Sequence, residues 1–288
     1  MKTRMNAKVM LSVSMAIFGT LAIFTRNISV SSGELALYRA IMAAILLTGY
    51  FGVTKQKIDF QAIKKEIPLL LLSGMAMGIN WILLFEAYKY TTVSVATLSY
   101  YFAPVIVTVV SPFLFKEKLT NKQILCFVMS TIGLILIIGV ENLSGGGSNM
   151  VGIFFGLGAA AFYATDILLN KFIKNVAGLH RTVLQFFAAI VILLPYVMVS
   201  GGFTLGGLGG KGWVCLLVVG IVHTGVTYCM YFSALKDLSG QEASILSYID
   251  PLVAVMVSVL ILGESMTVLQ VVGGILILGF TLWNERNS

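Results

Sequence analysis

Charge is what this sequence has least of. Only 11% of its 288 residues are Asp, Glu, Lys or Arg, against about a quarter in an ordinary soluble domain. Apolar residues make up 58%, and the mean hydropathy is +0.95. So few ionic groups cannot solvate the surface of a water-soluble fold of this length, and the bilayer is the expected solvent. Metal-binding and catalytic signatures are missing too. Cys126, Cys215 and Cys229 fall within apolar stretches with no CxxC or histidine spacing and read as core residues. The two histidines stand far apart, and neither HExxH nor Gly-x-Ser-x-Gly occurs. The glycine-rich stretch 206–212 ends Gly-Lys-Gly, without the Ser or Thr that a phosphate-binding loop requires. An enzyme is therefore disfavoured, and no cofactor or metal is expected.

What the sequence does contain is long apolar runs. Crossing the hydrocarbon core takes roughly 20 mostly apolar residues, and ten such stretches occur, near 8–26, 33–53, 67–88, 93–115, 122–140, 150–170, 182–199, 213–235, 241–262 and 266–284. The connections are short, and no soluble domain fits between them. The first stretch follows Lys2, Arg4 and Lys8 and resembles a secretory signal. It lacks a small-x-small cleavage site, so it is read as an uncleaved span.

A pI near 9.3 would suggest nucleic acid for a soluble protein. Here the placement of the basic residues explains it better. With the N-terminus inside, Lys55, Lys57, Lys64, Lys65, Lys116, Lys118, Lys122, Lys171, Lys174, Arg181, Lys236 and Arg286 all fall on the cytoplasmic side. Arg26, Lys89 and Lys211 remain outside, and Arg39 lies within span two. This asymmetry orients helices during insertion. Both termini are predicted cytoplasmic, in a plasma membrane. The expected partners are a small-molecule substrate and the lipid bilayer, with no nucleic acid, and the chain is expected to act as a monomer.

Shifting the sequence against itself by 147 residues aligns positions 78–123 with 225–270 without a gap. Identical pairs include Gly78/Gly225, Phe85/Phe232, Ala87/Ala234, Tyr101/Tyr248, Pro104/Pro251, Glu117/Glu264, Thr120/Thr267 and Gln123/Gln270. Each half holds five spans, an odd number, so the second half enters the membrane upside down. The expected fold is all-α and polytopic: residues 1–143 form one repeat, 144–149 a Gly/Ser linker, and 150–288 the inverted second repeat. Halves related in this way can exchange conformations and open a central site alternately to either side.

The spacing of Pro104 to Glu117 and of Pro251 to Glu264, thirteen residues in each case and each followed by Thr-x-x-Gln, resembles the EamA repeat of the drug/metabolite transporter superfamily. Arg39 early in span two and Phe85-Glu-Ala-Tyr-Lys before a Ser/Thr/Ala-rich span four also look like that family. The resemblance implies ten helices in two EamA modules, no cofactor, and transport of amino acids, metabolites or drugs.

Several residues invite a site. Arg39 lies where an unpaired cation is costly, so it needs a partner such as Glu86, a wet cavity, or a substrate carboxylate to hold. Asp250 is the acid nearest the midplane. It shares a face of span nine with Ala243, Ser247, Ala254 and Ser258, which suits proton coupling or amine binding, or a structural role beside Pro251. Pro104 and Pro251 remove a helical hydrogen bond each and are expected to kink spans four and nine as a pair of hinges. His223 reads as a proton relay or a hydrogen bond to its surroundings. Asp166, with Tyr163 and Asn170, marks an inner polar face, either a gate or a group reaching toward Lys171 and Lys174. Trp81, Tyr88, Tyr100, Tyr101, Tyr228, Tyr231 and Tyr248 cluster on the spans expected to form the cavity, and some of them are expected to be interface anchors instead. The expected substrate-binding set is Arg39, Asn80, Trp81, Glu86, Tyr101, His223, Tyr228, Tyr248 and Asp250. Glu117 and Glu264 are read as fold determinants beside two capping boxes, Thr120-x-x-Gln123 and Thr267-x-x-Gln270.

The functional expectation is a secondary transporter of an amino acid or related compound, export favoured, driven by a proton or substrate gradient. A choline-like cation is the second choice of substrate. A passive channel or a membrane scaffold is the alternative of another class.

Overall fold

The computed structural model describes residues 2–55, 63–115, 120–138, 147–176, 178–235, 237–238, 243 and 246–285. Its regular elements are α1 (Lys2–Gly19), α2 (Leu21–Thr25), α3 (Ser32–Thr54), α4 (Ile67–Tyr90), α5 (Val93–Tyr100), α6 (Ala103–Phe115), α7 (Asn121–Ile138), α8 (Ser148–Phe172), α9 (Gly178–Ser200), α10 (Gly210–Leu217), α11 (Thr227–Leu235), α12 (Ile249–Leu260) and α13 (Val268–Glu285). A π-helical turn, Val218–Val226, joins α10 to α11. Among the described residues, seven helical runs are long and apolar enough to cross a bilayer. They are Asn6–Thr25, Ser32–Thr54, Lys64–Tyr90, Val93–Phe115, Asn149–Phe172, Gly178–Ser200 and Gly210–Leu235. Asn121–Ile137, Ile249–Leu260 and Val268–Asn284 are apolar but shorter. The expected linker residues 144–146 and Glu117 lie outside the described residues.

The core is largely apolar, but the surface is unlike that of a soluble protein. Val53, Phe113, Val199 and Val268 are each more than three-quarters exposed, while Glu34, Arg39, Asn80, Gln185 and His223 are buried. Large apolar side chains outside and ionic groups within are what a lipid solvent selects.

Local chemistry sets the helix ends. The Ser31 side chain accepts from the Glu34 amide while Glu34 reaches back to the Ser31 amide, capping α3. Both Thr-x-x-Gln motifs form the reciprocal bonds read from the sequence, Gln123 with Thr120 ahead of α7 and Gln270 with Thr267 ahead of α13.

The proline expectation needs correcting in degree. Instead of kinks, the structure has breaks: α5 stops at Tyr100 and α6 restarts at Ala103. In the second half Tyr248 stands in a turn before α12. Pro104 and Pro251 thus occupy the first turns of new helices, where no intrahelical N–H is needed.

Contacts between connections define two faces. On the first, Thr91 bonds Asn149 and Glu34 accepts from the Thr204 amide at 2.6 Å and its hydroxyl at 2.5 Å. On the second, Glu66 accepts from the amides of Lys174 at 2.9 Å and Asn175 at 3.1 Å, and Lys122 donates to the Asn284 carbonyl at 2.6 Å.

Between the faces the helices pack through small residues. A Cβ added at Gly152 would meet Thr91 of the α4–α5 link, and one at Gly156 would meet Ser99 of α5; Gly74 and Gly78 face Ala188 and Ala189 of α9. Gly152 and Gly156 on α8 and Gly74 and Gly78 on α4, each pair four residues apart, therefore form packing surfaces. α7 and α13 pair through Gly133 and Gly273.

Candidate substrate cavity

A cavity of about 400 Å³ opens among α1, α2, α3, α4, α5, α8, α9, α11 and α12. Four described ionic residues line it: Arg39, Asp166, Arg181 and Asp250.

Arg39 projects from the second turn of α3. Its Nε donates to the Thr224 hydroxyl at 2.6 Å, and that hydroxyl donates to the Val219 carbonyl at 2.9 Å. Val219 is five residues back, the wider spacing of the π-helical turn, which swings Thr224 to meet the arginine. The guanidinium lies 4.3 Å over the Trp81 ring and 5.9 Å over Phe85. Among the described residues it forms no ion pair, so its terminal amino groups are left for another partner.

Asp250, in the first turn of α12, accepts from the Tyr101 hydroxyl at 2.6 Å. Tyr101 sits at the α5–α6 break, so the interruption places its ring in the cavity wall. Asn80 also lines the cavity, with its amide donating to the Ala159 carbonyl at 2.6 Å and tying α4 to α8. Aromatic rings supply much of the remaining wall. Tyr100 stacks on Tyr163 with centroids 5.1 Å apart, and Tyr228 meets Phe18 and Phe186 edge to face.

Toward the second face lies a connected polar network. Gln185 donates to Ser73 at 2.8 Å and to Asp166 at 3.0 Å, and Asn170 donates to Asp166 at 2.9 Å. Arg181, expected to be a loop cation, donates instead to the carbonyls of Asn170, Ile173 and Val176 at 3.3, 3.0 and 3.1 Å. It thereby closes the C-terminal end of α8. Asp166 does not reach toward Lys171, whose ammonium lies 3.4 Å from the Ser111 hydroxyl.

Of the expected binding set, Arg39, Asn80, Trp81, Tyr101, Tyr228 and Asp250 line the cavity, and Glu86, His223 and Tyr248 do not. The Arg39–Glu86 pair, one of the alternatives for Arg39, is absent: Glu86 pairs instead with Lys89, three residues on in the same helix, at 3.1 Å. The ring nitrogens of His223 lie 3.0 Å from the Thr20 hydroxyl and 3.3 Å from the Val218 carbonyl, linking α1 to the π-helical turn. Tyr248 is turned into the protein at its helix break and is buried.

Sequence reasoning missed Gln185 as a wall residue and Thr224 as the partner of Arg39. Gln185 stands near the repeat counterpart of Arg39, which was the available signal. Thr224 offered none, because its position depends on the wider turn. Glu264 was read as a local fold determinant and turns out to bridge distant segments. It forms an ion pair with Arg26 and accepts from the Val93 amide at 2.8 Å.

Comparison with known proteins identifies what such a cavity belongs to. The model of the EamA-like transporter family matches residues 6–139 and 150–284. The uncharacterized transporter YxxF of Bacillus subtilis (strain 168) is 29% identical over 277 residues, 96% of this chain and 88% of that protein. The uncharacterized inner membrane transporter YicL of Salmonella typhimurium is 26% identical over 90% of this chain and 86% of its own length. Protein PecM of Dickeya dadantii is 26% identical over 84% and 79%. A solved crystal structure superposes with a TM-score of 0.67 at 16% identity over 96% of each chain, a likeness of fold. This chain is a multi-pass membrane transporter, not an enzyme, and belongs to the EamA-like transporter family.

Proposed function

We propose that this transporter is a secondary-active carrier of an amino acid or a closely related small zwitterion. In this reading it has ten spans in two inverted five-helix repeats, with both termini in the cytoplasm of a plasma-membrane protein. It works by alternating access, with export favoured. The two segments matched by the family model support the two-repeat reading. So do the helix breaks that precede Pro104 and Pro251, which serve as hinges between the states.

The observation that carries the substrate class is Arg39. A buried guanidinium with no ion-pair partner among the described residues, open to a cavity, calls for an anion from outside the protein. Asp250, which lines the same cavity, supplies the opposite charge for an ammonium group, and the aromatic rings accept an apolar side chain. A volume of about 400 Å³ falls within the small-molecule range of roughly 300–1,000 Å³. Asp250 is also the proposed proton-coupling group, since a carboxylate held by one tyrosine in the protein interior can exchange a proton as the cavity changes sides.

A thermal-shift screen of the purified protein tests this reading, because a ligand of the native state stabilises it by mass action. Amino acids, quaternary amines, polyamines, nucleosides and sugar phosphates form the panel. Stabilisation by amino acids, lost in Arg39→Ala, is the expected result. Stabilisation by quaternary amines that does not need Arg39 would replace the zwitterion with an organic cation.

A further inference from the structure

A second, shallower hollow of about 340 Å³ lies on the first face, bordered by Arg26, Lys89, Thr91 and Glu264. Tyr88 lines both this hollow and the central cavity, so the partition between them is one layer of side chains thick. On the opposite side the central cavity extends to Gly178 and Arg181 at the start of α9.

Glu264 is the fastener of that layer. One carboxylate oxygen pairs with Arg26 at the end of α2. The other takes hydrogen bonds from the Val93 amide at 2.8 Å and from the Ser258 hydroxyl. Ser258 in turn accepts from the Ser94 amide at 3.3 Å. Three segments far apart in sequence, the end of α2, the start of α5 and the turn after α12, are thereby joined by one carboxylate. Arg26 is 32% exposed, so water reaches its side of the pair. Gly263 turns the chain at φ +67° ahead of Glu264, whose amide donates to the Ser258 carbonyl at 3.0 Å.

We propose that Arg26, Glu264 and Tyr88 form a closed gate between the central cavity and the hollow on the first face, and that separation of Arg26 from Glu264 joins the two. The proposal rests on the alternating-access reading above: the structure is the state closed on this face, and the gate opens to make the other state.

The test uses the full-length protein with Cys126, Cys215 and Cys229 replaced by serine, reconstituted in vesicles, and a reporter Leu84→Cys on the cavity wall. Lys211→Cys, at the start of α10, marks the first face. An impermeant maleimide added on that side should label Leu84→Cys slowly in the parent and about tenfold faster in Arg26→Ala and Glu264→Gln, as the closed population falls. Arg26→Lys, which keeps a cation facing the Glu264 carboxylate, should keep labelling slow. Labelling as slow as in the parent in both Arg26→Ala and Glu264→Gln, at an unchanged melting temperature, overturns the gate. Should those variants fold poorly, Tyr88→Ala reads the same rate, and slow labelling there overturns it equally. Labelling needs no substrate, so it stands if the amino-acid reading fails. Slow labelling together with intact amino-acid stabilisation removes the gate alone.

Discussion

Tyr101 donates its hydroxyl hydrogen to the Asp250 carboxylate at 2.6 Å, joining two residues 149 positions apart. One sits at the α5–α6 break and the other in the first turn of α12, so each half contributes its interrupted helix to a single contact in the cavity wall. If Asp250 couples transport to protons, acidifying one side of proteoliposomes changes uptake in the parent and Asp250→Asn abolishes that response. A variant with the parent's pH response would exclude Asp250 as the coupling group. Tyr101→Phe should keep a response with an altered pH midpoint, and lose about 1 kcal/mol of stability with its hydrogen bond.

Arg39→Lys keeps the charge and loses the planar fork together with the Nε bond to Thr224. Amino-acid affinity, measured by calorimetry, should fall roughly tenfold to a hundredfold, as expected for a charged hydrogen bond of about 1.5–3 kcal/mol. Equal affinity in Arg39→Lys and parent would mean that the fork does not hold the substrate.

Thr224→Val removes the hydroxyl that receives Arg39 while keeping the side-chain volume. Arg39 then loses its orientation and not its charge, so affinity should drop less than in Arg39→Lys. A larger loss would show that Thr224 touches the ligand itself.

Glu66 is buried on the second face and accepts from two backbone amides and the Asn175 side chain. Glu66→Ala leaves these donors without their partner, at a cost of about 1–3 kcal/mol. The melting temperature should fall, while the ligand-induced shift stays, since Glu66 is no part of the cavity wall.

Gly133 and Gly49 form a matched pair. A Cβ on Gly133 would stand 2.6 Å from the Gly273 carbonyl oxygen, whereas one on Gly49 meets nothing within 4 Å. Gly133→Ala should destabilise by about 1–3 kcal/mol through forced separation of α7 and α13. Gly49→Ala should leave the melting temperature unchanged or raise it. Equal effects would argue against the close α7–α13 crossing.

Features governed by neighbouring residues were legible in the sequence. The apolar runs follow from bilayer thickness, and the two Thr-x-x-Gln boxes from bonds three residues long. The prolines announced the interruptions, although not that the chain would break into separate helices. The composition sufficed to place the chain in lipid.

Partnership across the bundle was left to the tertiary structure. Nothing near Arg39 in sequence indicates Thr224, and Glu86, at a plausible depth, pairs with Lys89 because a bond within one helical turn is the shorter reach. Arg181 was counted among loop cations, yet the fold turns it onto the last carbonyls of α8. Glu264 was read as a local turn residue and instead joins α2, the start of α5 and the turn after α12. The sequence by itself determined that this protein lives in lipid as a stack of apolar helices, because hydropathy and capping are properties of contiguous residues. Which buried charge meets which partner was decided only when helices from both halves came together, because those bonds depend on how each helix is rotated and how deep it sits.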